Sequence, residues 1–166
     1  MDEQTKLPGV TESRWALRFE VGCRQIGFFF LLAIVFLAIG GFFSNGYFSK
    51  TNKALSDNSL KIEYERFGRL QTEFNVKISV APVPAGKYVI ALGGDFNDSF
   101  EMGNIWPTPD KMYSEKGSLN LVYETSQPGQ PFTVWMYTTP TSPGTAHNTI
   151  QVNAGSAMHF WQFIYP

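Results

Sequence analysis

The sequence has little of what most metal and redox sites require, since it contains one cysteine and two histidines among 166 residues. A single cysteine excludes an intramolecular disulfide framework and any zinc or iron–sulfur site built from several cysteines. Charged residues make up 16% of the chain, compared with about 25% in typical soluble domains, and the net charge is -1. Because no basic excess is present to neutralise phosphates, we expect no nucleic-acid partner.

The sequence also lacks the motifs of common catalytic sites, including the nucleophile elbow, the zinc-protease helix, the phosphate-binding loop and the EF-hand loop. His147 and His159 have no carboxylate at the spacing of a metal site. The spacing of Asp95, Asp98 and Glu101 fits no calcium loop. We therefore predict a protein that is not an enzyme, with no catalytic residue, metal, cofactor or small-molecule substrate.

Aromatic residues, by contrast, are abundant at 16% of the chain, and many fall in one apolar run. Residues 26–43 contain no charged or polar side chain. As a helix this run is about 27 Å long, close to the roughly 30 Å of a bilayer's hydrocarbon core. It begins after twenty-five residues, and no small-residue cleavage site follows it. We therefore predict an uncleaved transmembrane helix rather than a signal peptide.

The orientation of this helix is predicted from the residues on its two sides. Three arginines precede the run and three lysines follow it, so the count of basic residues does not decide the orientation. Arg24 lies closest to the run, and the 120 residues after Gly46 contain no cysteine, which suits an oxidising compartment. We expect the N-terminus in the cytoplasm and the C-terminal part on the other side of the membrane.

Aromatic and basic residues flank the run, and such side chains hold a helix at the headgroup level of the lipid bilayer. Trp15 and Phe19 lie four residues apart and therefore share one face of a helix. The predicted membrane-anchoring residues are Trp15, Arg18, Phe19, Arg24, Phe42, Phe43, Tyr47 and Phe48.

Composition divides the chain into four parts. Residues 1–13 are expected to form a flexible cytoplasmic tail, and residues 14–45 the interfacial entry and the transmembrane helix. Residues 46–59 are rich in Ser, Asn and Lys and show no periodicity, as is typical of a linker. Residues 60–166 are expected to form an extracytoplasmic domain.

In that domain apolar and polar residues alternate, as in strands with one buried face. Leu60, Ile62 and Tyr64 give one example, and similar segments recur with turn residues between them. Residues 96–102 form the least regular of these segments. The pattern predicts an all-β fold, an antiparallel immunoglobulin-like β-sandwich of about 7–8 strands, with a small barrel as the alternative.

Two predicted strands, residues 132–138 and 158–165, carry large aromatic side chains on both faces. One face of each strand fills the core. The other is either covered by a loop such as residues 103–117 or exposed as a contact surface. The candidate interaction residues are Ile105, Trp106, Trp135, Tyr137, Trp161, Phe163 and Tyr165.

Four short segments of the chain resemble a group of small bacterial envelope proteins. They are KIEYERFGR at Lys61–Arg69, IWPTP at Ile105–Pro109, LVYE at Leu121–Glu124 and WQFIYP at Trp161–Pro166. Members of this group have one transmembrane helix before a β-sandwich and accompany YetF-like multi-pass proteins of the inner membrane. The resemblance implies a location in the bacterial inner membrane, a periplasmic domain and a YetF-like integral-membrane partner, and it implies no catalytic residue.

The leading hypothesis is a non-enzymatic accessory subunit of an inner-membrane complex, which contacts its partner through the transmembrane helix and the sandwich. The alternative is a membrane-tethered domain that binds an envelope glycan or peptidoglycan, with sugar rings stacked on Trp135 or Trp161. A membrane-bound hydrolase with an unrecognised site is the third hypothesis.

Overall fold

The structure, a computed structural model, describes residues 14–40, 49–84, 86–124 and 129–166. It contains two compact units, Met1–Ile39 and Gly40–Pro166. The predicted cytoplasmic tail, residues 1–13, lies outside the described residues, as do four of the predicted anchoring residues. These four are Phe42, Phe43, Tyr47 and Phe48.

The first unit contains helix α1, Arg14–Ile39. Over Arg18–Ile39 this helix is long and apolar enough to span a membrane. Trp15 and Phe19 lie on one face, as expected, and their rings stack with centroids 5.6 Å apart. The helix ends at Ile39, and residues 41–45 of the predicted helical segment lie outside the described residues.

The second unit contains two β-sheets. Its elements are β1 Lys50–Ala54, β2 Leu60–Glu65, β3 Phe67–Arg69, β4 Phe74–Val80, β5 Lys87–Gly94, α2 Phe96–Ser99, β6 Phe100–Trp106, β7 Lys111–Glu115, β8 Ser118–Glu124, β9 Phe132–Pro140, β10 Gly144–Val152 and β11 Met158–Tyr165. The five-stranded sheet has the order β1-β2-β4-β9-β6, and the six-stranded sheet has the order β3-β11-β10-β5-β8-β7. The predicted all-β, immunoglobulin-like sandwich is confirmed.

The described residues form eleven strands rather than the seven or eight predicted. Strand β1 lies inside the predicted linker, residues 46–59, and β7 lies inside the predicted covering loop, residues 103–117. Both are edge strands with almost every residue exposed, so no buried face imposes an apolar alternation on their sequences. The predicted strand 96–102 begins instead with the single turn α2, and β6 starts only at Phe100.

The core forms where the inner faces of the two sheets meet. Tyr64 of β2 packs edge-on against Phe160 of β11, with ring centroids 4.9 Å apart. Tyr88 of β5 stacks on Phe132 of β9 at 4.8 Å. Each contact joins one sheet to the other, and burial of this apolar surface is the main term that stabilises the sandwich.

A buried polar bridge crosses the same core. The Gln162 side chain donates a hydrogen bond to the Glu65 carbonyl oxygen at 2.9 Å and accepts one from Asn148 Nδ2 at 3.0 Å. Glu65 ends β2 in one sheet, and Phe67 starts β3 in the other. The bridge therefore fixes the point at which the chain passes between the sheets, and it holds β11 in register beside that crossing.

Candidate interaction surfaces

The seven candidate interaction residues do not form one surface. The inner faces of the two sheets share one core, so their outer faces lie on opposite sides of the sandwich. Trp135 and Tyr137 lie on the outer face of the five-stranded sheet. The three aromatic residues predicted on the last strand lie on the outer face of the six-stranded sheet, and these are Trp161, Phe163 and Tyr165.

Ile105 belongs to neither outer face. Its side chain is partly buried and packs against the hydrophobic core, opposite Met136 of β9. A register shift in β6 between Met102 and Ile105 produces this orientation. Ile105 therefore lies in a strand and not in a loop, with its side chain against the core, and its role as an interaction residue stays a prediction.

On the five-stranded sheet, two tryptophans form a pair at the β6 edge. Trp106 is the register partner of Trp135, and their ring centroids lie 5.1 Å apart. Trp106 is 65% exposed, whereas Trp135 is half-buried. The same face therefore has one tryptophan projecting into solvent and a second that is supported by its neighbours.

Trp135 also borders a groove of about 280 Å³ on this face, which we call the Trp135 groove. The groove runs across β1, β2 and β4, and almost all of its other lining is polar. Its lining residues are Lys50, Thr51, Asn52, Glu63, Tyr64, Glu65, Asn75, Lys77 and Trp135.

The charges of the groove pair with one another. Glu63 Oε1 lies 3.3 Å from Lys61 Nζ and 3.4 Å from Lys77 Nζ. The hydrogen bond from Lys61 and the charge of Lys77 hold the pKa of Glu63 below its usual value, although its partial burial opposes them. Glu63 is therefore ionised at neutral pH, with both lysine contacts exposed to solvent.

Glu65 differs from Glu63 although both point to the same face of β2. Glu65 is only 6% exposed, and its Oε2 atom has no hydrogen-bond partner among the described residues. Burial raises the pKa of the Glu65 carboxyl, and the Asn75 backbone and the charge of Lys50 oppose this shift only in part. The groove lining thus includes a carboxyl group with unused hydrogen-bonding capacity.

On the six-stranded sheet, four aromatic residues form what we call the Trp161 cluster, namely Phe67, Trp161, Phe163 and Tyr165. Phe67 meets Trp161 edge-on with centroids 5.7 Å apart, and Phe163 meets Tyr165 in the same way at 5.0 Å. Phe67 is also the register partner of Phe163 across the β3–β11 pair. Trp161 is 37% exposed, and the other three side chains are half-buried.

A cation completes the cluster. The Arg66 guanidinium lies 5.0 Å from the centre of the Trp161 ring, within the range of a cation–π contact. Gly68 follows Phe67 in β3 and packs directly on the core ring of Phe74. A Cβ atom at residue 68 would overlap that ring. The position of the cluster at the β3 edge therefore depends on the absence of a side chain at residue 68.

The two histidines lie on the same outer face as the Trp161 cluster. His147 is the register partner of Trp161, and His159 is the register partner of Thr149. Asp95, one of the three acidic residues considered for calcium, accepts a hydrogen bond from the His147 backbone N–H at 2.8 Å. Within the described ranges, no three His, Cys, Asp or Glu side chains are grouped to hold a metal ion.

Several residues of these surfaces were not singled out from the sequence. Arg66 and Phe67 follow a strand in an unremarkable charged segment, and they become part of the Trp161 cluster only because the chain changes sheets there. Glu65 continues the polar alternation of β2, and nothing in the sequence distinguishes it from Glu63. Only the strand order brings these residues together.

Comparisons with known proteins concern the fold. The sequence matches no known protein family and no curated protein. A non-cellulosomal cohesin from the archaeon Archaeoglobus fulgidus is similar in structure, with 11% identity over 59% of this chain and 84% of that chain and a TM-score of 0.42. The seventh ScaB type I cohesin from Pseudobacteroides cellulosolvens has 13% identity, covers 59% of this chain and 80% of its own, and has a TM-score of 0.35.

The cupredoxin domain of amoB from Nitrosocaldus yellowstonii is also similar in structure. It has 10% identity over 66% of this chain and 57% of that chain, with a TM-score of 0.33. At such low identities the likeness concerns the β-sandwich alone and assigns no binding residue.

Proposed function

We propose that this protein is a single-pass protein of the bacterial inner membrane that acts as a non-enzymatic accessory subunit of a membrane complex. Its N-terminus lies in the cytoplasm and its β-sandwich in the periplasm. The observation that supports this role best is the Trp161 cluster, four aromatic residues and an arginine on the outer face of the six-stranded sheet.

The composition of the cluster favours a protein partner. Tryptophan, tyrosine and arginine are the residues most enriched at the centres of protein interfaces. The Arg66 guanidinium already lies over the Trp161 ring in the unbound protein. Little conformational entropy of these two side chains is therefore lost on binding. The cluster thus offers a preorganised aromatic surface suited to docking.

The partner is proposed to be an integral membrane protein because this chain carries its own candidate membrane helix. The apolar side chains of α1, including Phe28, Phe30 and Phe36, are exposed in its own unit and are available to lipid or to partner helices. Ala33 and Ala38 are small enough to permit close helix approach. The resemblance to companions of YetF-like proteins supports a multi-pass partner of that kind.

Co-purification tests the proposal. Full-length tagged protein should be extracted in mild detergent from its native membrane and should retain one integral membrane protein at a fixed ratio. Trp161→Ala should lose that protein, whereas Tyr113→Ala, an exposed aromatic change on β7 of the same sheet, should retain it. Purification of the wild-type chain without a partner, or equal retention by both variants, would count against the accessory role.

The orientation needs its own measurement. A periplasmic reporter enzyme fused after Pro166 is expected to be active, and a cytoplasmic reporter at the same position inactive. The opposite result would place the sandwich in the cytoplasm and would remove the proposed location.

A further inference from the structure

The Trp135 groove, on the side opposite the Trp161 cluster, has the chemistry of a carbohydrate site. We propose that it binds a neutral sugar unit of an envelope glycan, with one face of the sugar ring stacked on Trp135. This site goes beyond the accessory role, since it uses the other sheet and other residues.

The aromatic wall is the first argument. An indole ring is apolar over its faces and carries a polar N–H at its edge, which suits a ligand that has both C–H faces and hydroxyl groups. Trp135 borders the groove, and Trp106 lies 5.1 Å from it on the next strand. The two rings are tilted by 49° to each other, so each could stack on a different sugar ring of an oligosaccharide.

The polar lining is the second argument. Asn75 and Asn52 offer amide donors and acceptors to the groove. A small number of well-placed polar groups next to an aromatic surface fixes the orientation of a small ligand. A volume of about 280 Å³ lies at the lower end of small-molecule sites, typically roughly 300 Å³ or more, which favours one sugar ring over a larger group.

The charge balance is the third argument. The groove is lined by two positively charged residues, Lys50 and Lys77, and by two acidic residues, Glu63 and Glu65. The formal charges of these four lining side chains cancel, and Glu63 lies 3.4 Å from Lys77 Nζ. A ligand that binds through hydroxyl groups without net charge fits this balance better than an anionic lipid or an acidic peptide.

Glu65 supplies the last argument. Its Oε2 atom lacks a hydrogen-bond partner among the described residues, although the residue is more than nine-tenths buried and lines the groove. Buried polar atoms in native proteins nearly always have a partner. A hydroxyl-rich ligand would bring donors next to this residue in the groove lining.

The test uses full-length protein in lipid nanodiscs, because alkyl glycoside detergents are themselves saccharides. The probes are chitotetraose, cellotetraose and insoluble peptidoglycan, and binding is measured by isothermal titration calorimetry for the two oligosaccharides and by sedimentation for the peptidoglycan. Wild-type protein should bind at least one probe saturably. Trp135→Ala should weaken this binding about tenfold, and Trp135→Phe, which keeps an aromatic ring, less than that.

Two further variants guard against a folding artefact. Asn75→Ala changes an exposed side chain and should weaken binding about threefold with an unchanged unfolding midpoint. Tyr113→Ala, on the six-stranded sheet, should bind as the wild type does. The proposal is overturned if wild-type protein binds none of the three probes, if Trp135→Ala and Asn75→Ala both bind normally, or if the groove binds a peptide instead.

Discussion

The two outer faces of the sandwich are both formed by β-sheets, but they differ in the side chains that they expose. The six-stranded sheet presents a compact aromatic cluster with one stacked arginine. The five-stranded sheet presents a polar groove that has a tryptophan at its border. A cluster of aromatic side chains with an arginine suits a protein surface, whereas a polar groove beside one ring suits a small hydroxylated ligand.

This difference shows that aromatic content alone does not define a binding surface. Both faces have an exposed tryptophan, and residue type alone does not distinguish Trp135 from Trp161. Their neighbours separate them, because Trp161 contacts Phe67 and Arg66 whereas Trp135 lies in a row with Lys77 and contacts Trp106. The comparison therefore predicts two independent binding functions on one small domain.

The largest effects are expected when each of the two tryptophan variants is measured in both binding assays. Trp161→Ala should lower recovery of the membrane partner by about thirtyfold or more, as for an interface hot spot, and leave saccharide binding intact. Trp135→Ala should do the reverse. If either variant weakens both activities equally, the two faces do not act separately, and the loss reflects a change of the whole domain.

The next largest effect is expected when the polar bridge formed by Gln162 between the sheets is removed. Gln162→Leu removes the donor to the Glu65 carbonyl oxygen and the acceptor for Asn148 Nδ2, which leaves two buried polar groups unsatisfied. We expect the free energy of unfolding to fall by about 2 kcal/mol, measured by urea denaturation. Because the bridge supports both β2 and β11, both binding activities should weaken together, unlike the result for the tryptophan variants. Unchanged stability would mean that the bridge does not tie the sheets.

A smaller effect is expected at Glu65. Its raised pKa means that the folded state binds the proton more tightly than the unfolded state, whose carboxyl has the ordinary value of 4.5. Ionisation therefore costs stability above the folded pKa, and stability increases as the pH falls through that value. Glu65→Gln should raise the free energy of unfolding at pH 7, and its advantage should shrink as the pH falls towards 4. An advantage that is constant with pH would exclude the carboxyl as its cause.

Much of this architecture is predictable from the sequence, for a physical reason. Alternation identifies any strand with one buried face, and so β2, β4, β9 and β11 follow from residues such as Leu60, Phe74 and Phe160. The apolar run likewise predicts the helix that begins at Arg14. Alternation also places Trp135 with Tyr137, and Trp161 with Phe163, on one face of each strand, but with aromatic side chains on both faces it does not decide which face is outward.

The remaining features depend on contacts that alternation does not contain. Strands β1 and β7 lie at sheet edges with no buried face, so their sequences resemble loops. The bulge in β6 turns Ile105 inward. Above all, the side of the sandwich on which each tryptophan lies is decided by strand order, which places β9 in one sheet and β11 in the other.

The smallest effect is predicted for Trp106, and it tests whether the sugar-binding site extends beyond the groove. Trp106 contacts Trp135 but does not line the groove itself, and 65% of its surface is exposed. If it extends the platform for a second sugar ring, Trp106→Ala should weaken chitotetraose binding about threefold and leave binding of the disaccharide chitobiose nearly unchanged. Equal loss for both lengths would mean that Trp106 acts by holding Trp135 in place. Its high exposure favours the length-dependent result, because a ring so open to solvent has more to gain from a ligand than from its neighbour.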